Sequence, residues 1–216
     1  METLAPSRFV ALDPPAFGQA SLDRICGAIA AVGWSVVEDC VARPLVTALR
    51  ATMCGRDAEG ELRAAGVGRG DRRVERADIR GDRIAWLDES ALAPPERALW
   101  DALERLRLAL NRTSLLGLFS LEAQYALYAP GAFYRRHRDA FKDDDGRVLS
   151  WVLYLNDDWR LDDGGVLRIH LSEGDSRDVL PAGGTLVCFL SERFEHEVLP
   201  ATRERLSITG WFRRRA

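Results

Sequence analysis

The stretch Arg205-Leu-Ser-Ile-Thr-Gly-Trp-Phe212 alternates between two kinds of side chain. One set comprises Arg205, Ser207, Thr209 and Trp211, and the alternate positions include the apolar residues Leu206, Ile208 and Phe212. Successive side chains of a β-strand point to opposite faces of a sheet. The stretch therefore predicts a strand whose apolar face packs on helices and whose other face borders a pocket.

Strand patterns also precede this stretch from residue 121 onward. Together with the stretch itself, taken as residues 206–212, the predicted strands cover residues 122–128, 133–139, 148–155, 166–171, 185–190 and 194–199. Turn clusters separate them, among them Pro130-Gly131 and Asp162-Asp-Gly-Gly165. Several short strands at regular spacing are typical of a β-sandwich or barrel.

The first half of the chain has helical periodicity instead. Apolar residues recur at helical spacing in residues 14–32, 44–53 and 95–115, with Asp13 and Gly33 as candidate caps of the first helix. A short strand is predicted at residues 34–38. Helices followed by strands predict an α+β, mainly β chain in which helices pack on one side of a β core.

Residues 55–78, between the second and third predicted helices, are rich in Gly, Arg, Asp and Glu. Few apolar residues are present to bury this segment, so a mobile loop is predicted. A loop of that length is often a lid or binding element. A solvated connector is the alternative.

Composition limits the classes of function. The chain has 216 residues, of which 47% are hydrophobic, and this fits one domain. A net charge of −3 gives no overall basic field, which disfavours nucleic-acid binding. The four cysteines have no Cys-x-x-Cys spacing and are interpreted as free thiols of a reducing compartment. With no signal-peptide pattern and no membrane-length apolar run, a cytoplasmic protein without membrane contact is expected.

Two of the three histidines have neighbours that suit a metal site. They occur in Tyr134-Arg-Arg-His137-Arg-Asp139 and in Phe194-Glu-His196-Glu-Val198. Two imidazoles and one carboxylate can bind one face of Fe(II) and leave the opposite face open. His137 and Asp139 would project together from one strand end. A surface pair or a zinc site is the alternative, and His170 is interpreted as structural.

Arg205 is positioned downstream to bind a dicarboxylate. Its guanidinium could form two charge-assisted hydrogen bonds with a distal carboxylate. Tyr154 lies in the apolar run Trp151-Val-Leu-Tyr-Leu155 and would need a partner for a buried hydroxyl. That carboxylate is one candidate partner, and a backbone carbonyl is the other.

Seven segments of the chain together carry a resemblance to a known family. The carrying segments are Ile79-Arg-Gly-Asp-Arg-Ile-Ala-Trp86, Leu127-Tyr-Ala-Pro-Gly131, Tyr134-Arg-Arg-His-Arg-Asp139, Tyr154-Leu-Asn-Asp-Asp-Trp159, Gly164-Gly-Val-Leu-Arg-Ile169, His196-Glu-Val-Leu-Pro200 and Arg205-Leu-Ser-Ile-Thr-Gly-Trp211. Together they resemble the prolyl 4-hydroxylase-type 2-oxoglutarate/Fe(II)-dependent dioxygenases, most closely the hypoxia-sensing prolyl hydroxylases and their bacterial relatives. The resemblance implies a double-stranded β-helix, or jelly roll, buttressed by N-terminal helices. Residues 1–216 would form one domain, with residues 1–118 as the mostly helical buttress, a lid at about 55–78, and residues 119–216 as the jelly-roll core.

The resemblance also implies roles for individual residues. The implied iron ligands are His137, Asp139 and His196, which are catalytic together with Arg205. The implied cosubstrate-binding residues are Arg205, Tyr154, Tyr128 and Thr209, and the implied substrate pocket contains Trp211, Arg135 and Trp86. The cofactors would be Fe(II), 2-oxoglutarate and O2, with ascorbate as reductant. Asp82 and Arg147 match positions that could pair and join the helical side to the barrel.

The implied function is hydroxylation of a prolyl residue in a protein or peptide, coupled to decarboxylation of 2-oxoglutarate to succinate. Hydroxylation of a free amino acid or other small molecule is the alternative, and a binding protein without turnover is a further one. A nucleic-acid demethylase is disfavoured because Trp211 stands where that class carries a second arginine. The basic cluster of Arg135, Arg136 and Arg138 departs from the animal enzymes, so it either steers an acidic polypeptide or forms a solvated rim.

Overall fold

The computed structural model describes residues 16–67, 74–140, 146–172 and 174–215. Its helices are α1 (Gln19–Val32), α2 (Arg43–Ala58) and α3 (Pro94–Ser114). Helix α1 begins later than predicted, and the candidate cap Asp13 lies outside the described residues. Gly33 ends α1 as predicted, because it adopts the left-handed conformation and donates its N–H to the carbonyls of the last turn. None of the helices in the described ranges has the length and hydropathy needed to cross a bilayer.

The described residues contain thirteen strands. They are β1 (Trp34–Val37), β2 (Arg63–Ala64), β3 (Gly66–Val67), β4 (Val74–Glu75), β5 (Asp82–Trp86), β6 (Leu118–Tyr128), β7 (Tyr134–His137), β8 (Arg147–Tyr154), β9 (Leu167–Ser172), β10 (Asp175–Val179), β11 (Leu186–Leu190), β12 (Glu195–Val198) and β13 (Arg205–Arg214). The major sheet has seven strands in the order β1-β11-β8-β13-β6-β5-β2. The minor sheet has four in the order β10-β9-β12-β7, and β3 pairs with β4 separately. These two sheets make the predicted jelly roll.

The major sheet separates two hydrophobic cores. On its outer face, the apolar stripes of the three helices pack against outward side chains such as Leu206, Ile208 and Phe212. On its inner face, Tyr154 and Val152 pack with residues of the minor sheet, including Ile169. The alternation in β13 therefore has the predicted outcome: its apolar face is covered by helices, and its other face lines the space between the sheets.

The segment predicted as one loop at residues 55–78 is partly regular. Helix α2 continues through Gly55 to Ala58, because its last turn is anchored by Arg56 to Glu96 and by Asp57 to Arg83. Strands β2, β3 and β4 follow, and residues 68–73 of the predicted loop lie outside the described residues. The loop prediction is therefore wrong for residues 55–58 and for these short strands.

Candidate active site

A cavity of about 400 Å³ lies between the inner face of the major sheet and the minor sheet. Most of the predicted site residues line it, namely His137, Asp139, His196, Arg205, Tyr128, Thr209, Trp211 and Trp86. Further lining comes from Gly66, Arg80, Gln124, Tyr134, Arg138 and Arg147. Side chains from widely separated segments of the sequence therefore share one chamber.

His137, Asp139 and His196 form a group that can hold a metal ion, with ligand atoms all within 4.8 Å of one another. The Nε2 atoms of both histidines lie 3.6 Å from oxygens of the Asp139 carboxylate. His137 ends β7 and is registered opposite His196 on β12, which brings the imidazoles together. The prediction that Asp139 shares the strand with His137 is wrong, since β7 ends at His137 and Asp139 lies in the following bend.

Hydrogen bonds orient the imidazoles for metal binding. The His137 Nδ1 atom lies 2.7 Å from the Arg135 carbonyl oxygen. Because a carbonyl only accepts, Nδ1 must carry the proton, and the Nε2 lone pair is left free to bind a metal. His196 has the same arrangement with a longer contact, 3.5 Å from Nδ1 to the Phe194 carbonyl oxygen.

The electrostatics of the site favour the protonation states that a metal requires. Burial opposes ionisation of Asp139, but the adjacent His196 and His137 outweigh it and hold the pKa of this carboxyl well below its usual range. Burial and the neighbouring His137 lower the pKa of His196 to about 4. At neutral pH the group therefore offers an ionised carboxylate and a neutral His196 imidazole, the forms in which these side chains bind metals.

A serine pair behind Asp139 was missed at the level of sequence. Ser150 donates a hydrogen bond of 2.7 Å to Asp139 Oδ2, and the Ser150 and Ser191 hydroxyl oxygens are 2.8 Å apart. Both serines are buried. The available signal was a hydroxyl in the otherwise apolar run of β8, although only the fold shows which carboxylate it contacts.

Arg205 occupies the opposite end of the cavity and is 1% exposed. Its Nε donates to the Gly165 carbonyl oxygen at 2.9 Å. Gly165 has a positive φ of +67°, and a Cβ there would lie 2.8 Å from the Ala201 Cβ, so only glycine suits this approach. Within the described part of the chain Arg205 forms no ion pair, which leaves a buried cation suited to an anionic ligand.

Two tyrosines flank the Arg205 guanidinium. Its central carbon lies 5.0 Å from the Tyr154 ring and 5.2 Å from the Tyr128 ring. The Tyr154 hydroxyl is buried and has no hydrogen-bond partner among the described residues. Burial raises the pKa of Tyr154 to about 12, despite the opposing effect of Arg205, so the hydroxyl remains a donor at neutral pH. A buried cation beside an unpartnered donor suits a carboxylate ligand.

Aromatic residues form the mouth of the cavity. The Trp86 and Trp211 ring centroids are 6.1 Å apart, and Trp86 is 46% exposed whereas Trp211 is buried. Arg147 lies over the Trp211 ring at 3.5 Å and donates to Glu122. Thr209 lines the wall between the two ends and donates to the Trp151 carbonyl oxygen.

The expected pair of Asp82 with Arg147 is not formed. Asp82 accepts two hydrogen bonds from Arg80, and Arg147 forms an ion pair with Glu122 instead. Arg80 is two residues away on the same chain segment, so it reaches the buried Asp82 carboxylate directly.

Arg135 does not line the cavity. It is exposed, and its guanidinium lies 5.9 Å from the Phe133 ring. Arg138 lines the cavity instead, because the chain leaves β7 after His137 and bends there. His170 also lies apart from the metal-binding group, with Nε2 3.1 Å from a carboxylate oxygen of Glu197.

A chamber with two histidines and a carboxylate at one end and a buried arginine at the other is the arrangement of a metal-dependent enzyme that binds an anionic cosubstrate. Residues 123–213 match the family model of the 2OG-Fe(II) oxygenase superfamily. The chain belongs to this superfamily, whose name specifies Fe(II) and 2-oxoglutarate. The donor set of the site fits Fe(II).

Solved structures and curated relatives agree with this assignment. A prolyl-4-hydroxylase from Pseudomonas putida is 48% identical, with a TM-score of 0.83 over 90% of this chain and 100% of that chain. A Trichoplax adhaerens prolyl hydroxylase, solved with a hypoxia inducible factor peptide fragment, is 25% identical, with a TM-score of 0.77 over 89% of this chain and 88% of that chain. Human Egl nine homolog 1 is 34% identical over 145 residues, which are 62% of this chain and 33% of the relative. The chain thus spans about a third of that curated relative.

Proposed function

We propose that the protein is a 2-oxoglutarate- and Fe(II)-dependent dioxygenase that hydroxylates a prolyl residue in a protein. One oxygen atom of O2 would enter the substrate, and the other would enter succinate as 2-oxoglutarate loses CO2. The observation that carries the proposal is the single cavity with the His137–Asp139–His196 group at one end, Arg205 at the other, and an open aromatic mouth. Similarity to prolyl hydroxylases supports the choice of substrate.

The metal and the cosubstrate would be held by different ends of the cavity. His137, Asp139 and His196 would bind Fe(II), and the bound metal with 2-oxoglutarate supplies the chemistry that activates oxygen. Arg205 would bind the distal carboxylate of 2-oxoglutarate through its fork of donors, and the Tyr154 hydroxyl would donate to the same group. Tyr128 and Thr209 would form the walls around it.

The protein's own contribution is to orient the reactants and exclude water. Trp86 and Trp211 offer apolar faces that suit a pyrrolidine ring at the mouth. Gly66 of β3 lines the cavity, which supports a role for the segment at about 55–78 in covering a bound peptide. The partial exposure of Trp86 favours a substrate that extends out of the cavity, such as a polypeptide, over a free amino acid.

Two further expectations belong to this proposal. Ascorbate would act as the reductant that keeps the iron in the Fe(II) form. The four free cysteines, three of them buried, support a cytoplasmic location.

The proposal is tested with two incubations of cell lysate containing Fe(II), 2-oxoglutarate and ascorbate. One receives this protein, and the other receives its Asp139→Ala variant. We expect peptide mass spectrometry to find single-oxygen additions on prolines of one or a few proteins, only with the native chain. Succinate formed without any oxidised polypeptide would overturn the protein substrate and favour a free amino acid or other small molecule.

A further inference from the structure

Gln124 is a buried polar residue in the wall of the cavity that has no assigned role. It is 2% exposed and lines the chamber. Its Oε1 atom is buried and makes no hydrogen bond with the described residues. A buried acceptor without a partner costs stability, so an acceptor held in a binding cavity points to a ligand that donates to it.

The strand register places Gln124 near the mouth. Gln124 on β6 is opposite Trp86 on β5 and opposite Thr209 on β13, so the three side chains form a row across the sheet. Trp211 lies two positions along β13 from Thr209 and is itself opposite Ser150, which holds Asp139. Gln124 therefore lies beside both tryptophans and within one row of the metal-binding end.

The same register separates Gln124 from the cosubstrate anchor. Arg205 is opposite Tyr128, four positions along each strand from the Thr209–Gln124 pair. At a rise of about 3.3 Å per residue this is a separation of roughly 13 Å. The Gln124 acceptor thus faces the part of the chamber that the substrate enters, away from the distal carboxylate that Arg205 would bind.

We propose that Gln124 is a specificity-determining residue that accepts a hydrogen bond from the main-chain N–H of the residue following the target proline. This inference rests on the proposed function. A prolyl residue within a chain has no N–H of its own, so the nearest main-chain donor on its C-terminal side belongs to the next residue. A second proline at that position would leave the buried Gln124 oxygen unpaired, and the enzyme therefore disfavours prolines followed by proline.

The first test needs no substrate. Gln124→Met keeps the length of the side chain and removes its polar atoms. If the amide serves a ligand and not the fold, the variant has a melting temperature equal to the native value or higher by about 2–4 °C. Gln19→Met, at an exposed position of α1, is the matched control. A marked fall in melting temperature for Gln124→Met alone would assign the amide a structural role and overturn the proposal.

The second test uses the peptide that the lysate experiment identifies, synthesised with and without an N-methyl group on the amide that follows the oxidised proline. The native enzyme should prefer the unmethylated peptide by about tenfold in kcat/KM, the size of one hydrogen bond, through a change in the peptide KM. Gln124→Met should lose this preference and keep the native KM for 2-oxoglutarate. An equal preference in both enzymes, or a raised KM for 2-oxoglutarate alone, would overturn the role of Gln124.

The outcomes also distinguish a failure of this inference from a failure of the proposed function. Absence of any oxidised peptide in the lysate removes the prolyl substrate, whatever the melting temperatures show. Oxidised prolines that are frequently followed by proline leave the hydroxylase in place and reject the proposed selectivity.

Discussion

The phenol ring of Tyr134 stacks on the imidazole of His137, with 3.6 Å between the ring centroids and 16° between the ring planes. Arg80 covers the Tyr134 ring at 4.4 Å and is itself held by the buried Asp82 carboxylate. The orientation of one candidate metal ligand is thus fixed on two sides, by the tyrosine ring and by the hydrogen bond to the Arg135 carbonyl.

Removal of the Tyr134 ring should therefore weaken metal binding. Groups that orient a ligand commonly contribute 10–100-fold to metal affinity, and we expect Tyr134→Ala to weaken Mn(II) binding by about 10-fold. Titration of the metal-free protein with Mn(II), followed by electron paramagnetic resonance of the free ion, measures this directly. Tyr134→Phe keeps the stacked ring and should keep native affinity. An unchanged affinity in the alanine variant would show that the stack does not orient His137.

The buried guanidinium of Arg205 should be required for its geometry and not only for its charge. Arg205→Lys keeps a cation but removes the planar fork of donors, so the KM for 2-oxoglutarate should rise by about 10–100-fold. Succinate formation at varied 2-oxoglutarate concentrations gives the KM. Arg177→Lys, at an exposed position of β10, is the matched control and should keep the native value. A native KM in Arg205→Lys would place the cosubstrate anchor elsewhere.

A helix or strand could be predicted from the sequence where its own residues carry a periodic apolar pattern. Helices α1 and α3 and the strand β13 were predicted because their apolar stripes face a core and give a clear period. Strand β10 was missed because its first four residues are exposed and carry no such period. It is held by pairing to β9 and by the cross-strand ion pair Arg168–Asp178. Neither contact can be predicted from the residues of β10 alone.

The candidate site follows the same rule. The metal-binding group and Arg205 were predicted because the residue types and their order are unusual in themselves. The partners that orient them could not be predicted, since Ser150 meets Asp139, and Arg80 meets Tyr134, only once separate segments pack. The ion pair between Arg80 and Asp82 is local, but no pattern in the sequence selects it. Asp82 was assigned to Arg147 by resemblance, whereas the contacts formed in the fold assign Arg147 to Glu122.

The two possible partners of Asp82 can be separated by double-mutant cycles on the free energy of unfolding. Asp82 is buried and Arg80 is mostly buried, so Arg80→Met with Asp82→Asn should show a coupling energy of about 1–3 kcal/mol. Asp82→Asn with Arg147→Met should be additive within about 0.5 kcal/mol. Urea unfolding of the native chain, the three single variants and the two double variants supplies the values. A coupling energy of about 1–3 kcal/mol between Asp82 and Arg147 would contradict the observed pairing.

The metal-free protein should lose stability in mild acid because of His196. Burial lowers the pKa of His196 from the ordinary 6.5 to about 4, so between these values the unfolded chain binds a proton that the folded chain does not. The free energy of unfolding therefore falls as the pH drops through this window, by about 2 kcal/mol from pH 7 to pH 5 for this group. The depressed pKa of Asp139 adds a further loss only at lower pH.

Replacement of His196 isolates its share of this loss. Urea unfolding in the presence of a chelator, at pH 7 and at pH 5, should show a smaller difference for His196→Asn than for the native chain, by about 2 kcal/mol. The comparison stays above the range in which ordinary carboxylates titrate, so their protonation contributes little. Equal losses in the two proteins would mean that His196 is not held neutral by its surroundings. The surroundings of the buried imidazole would then not favour the neutral form that binds a metal.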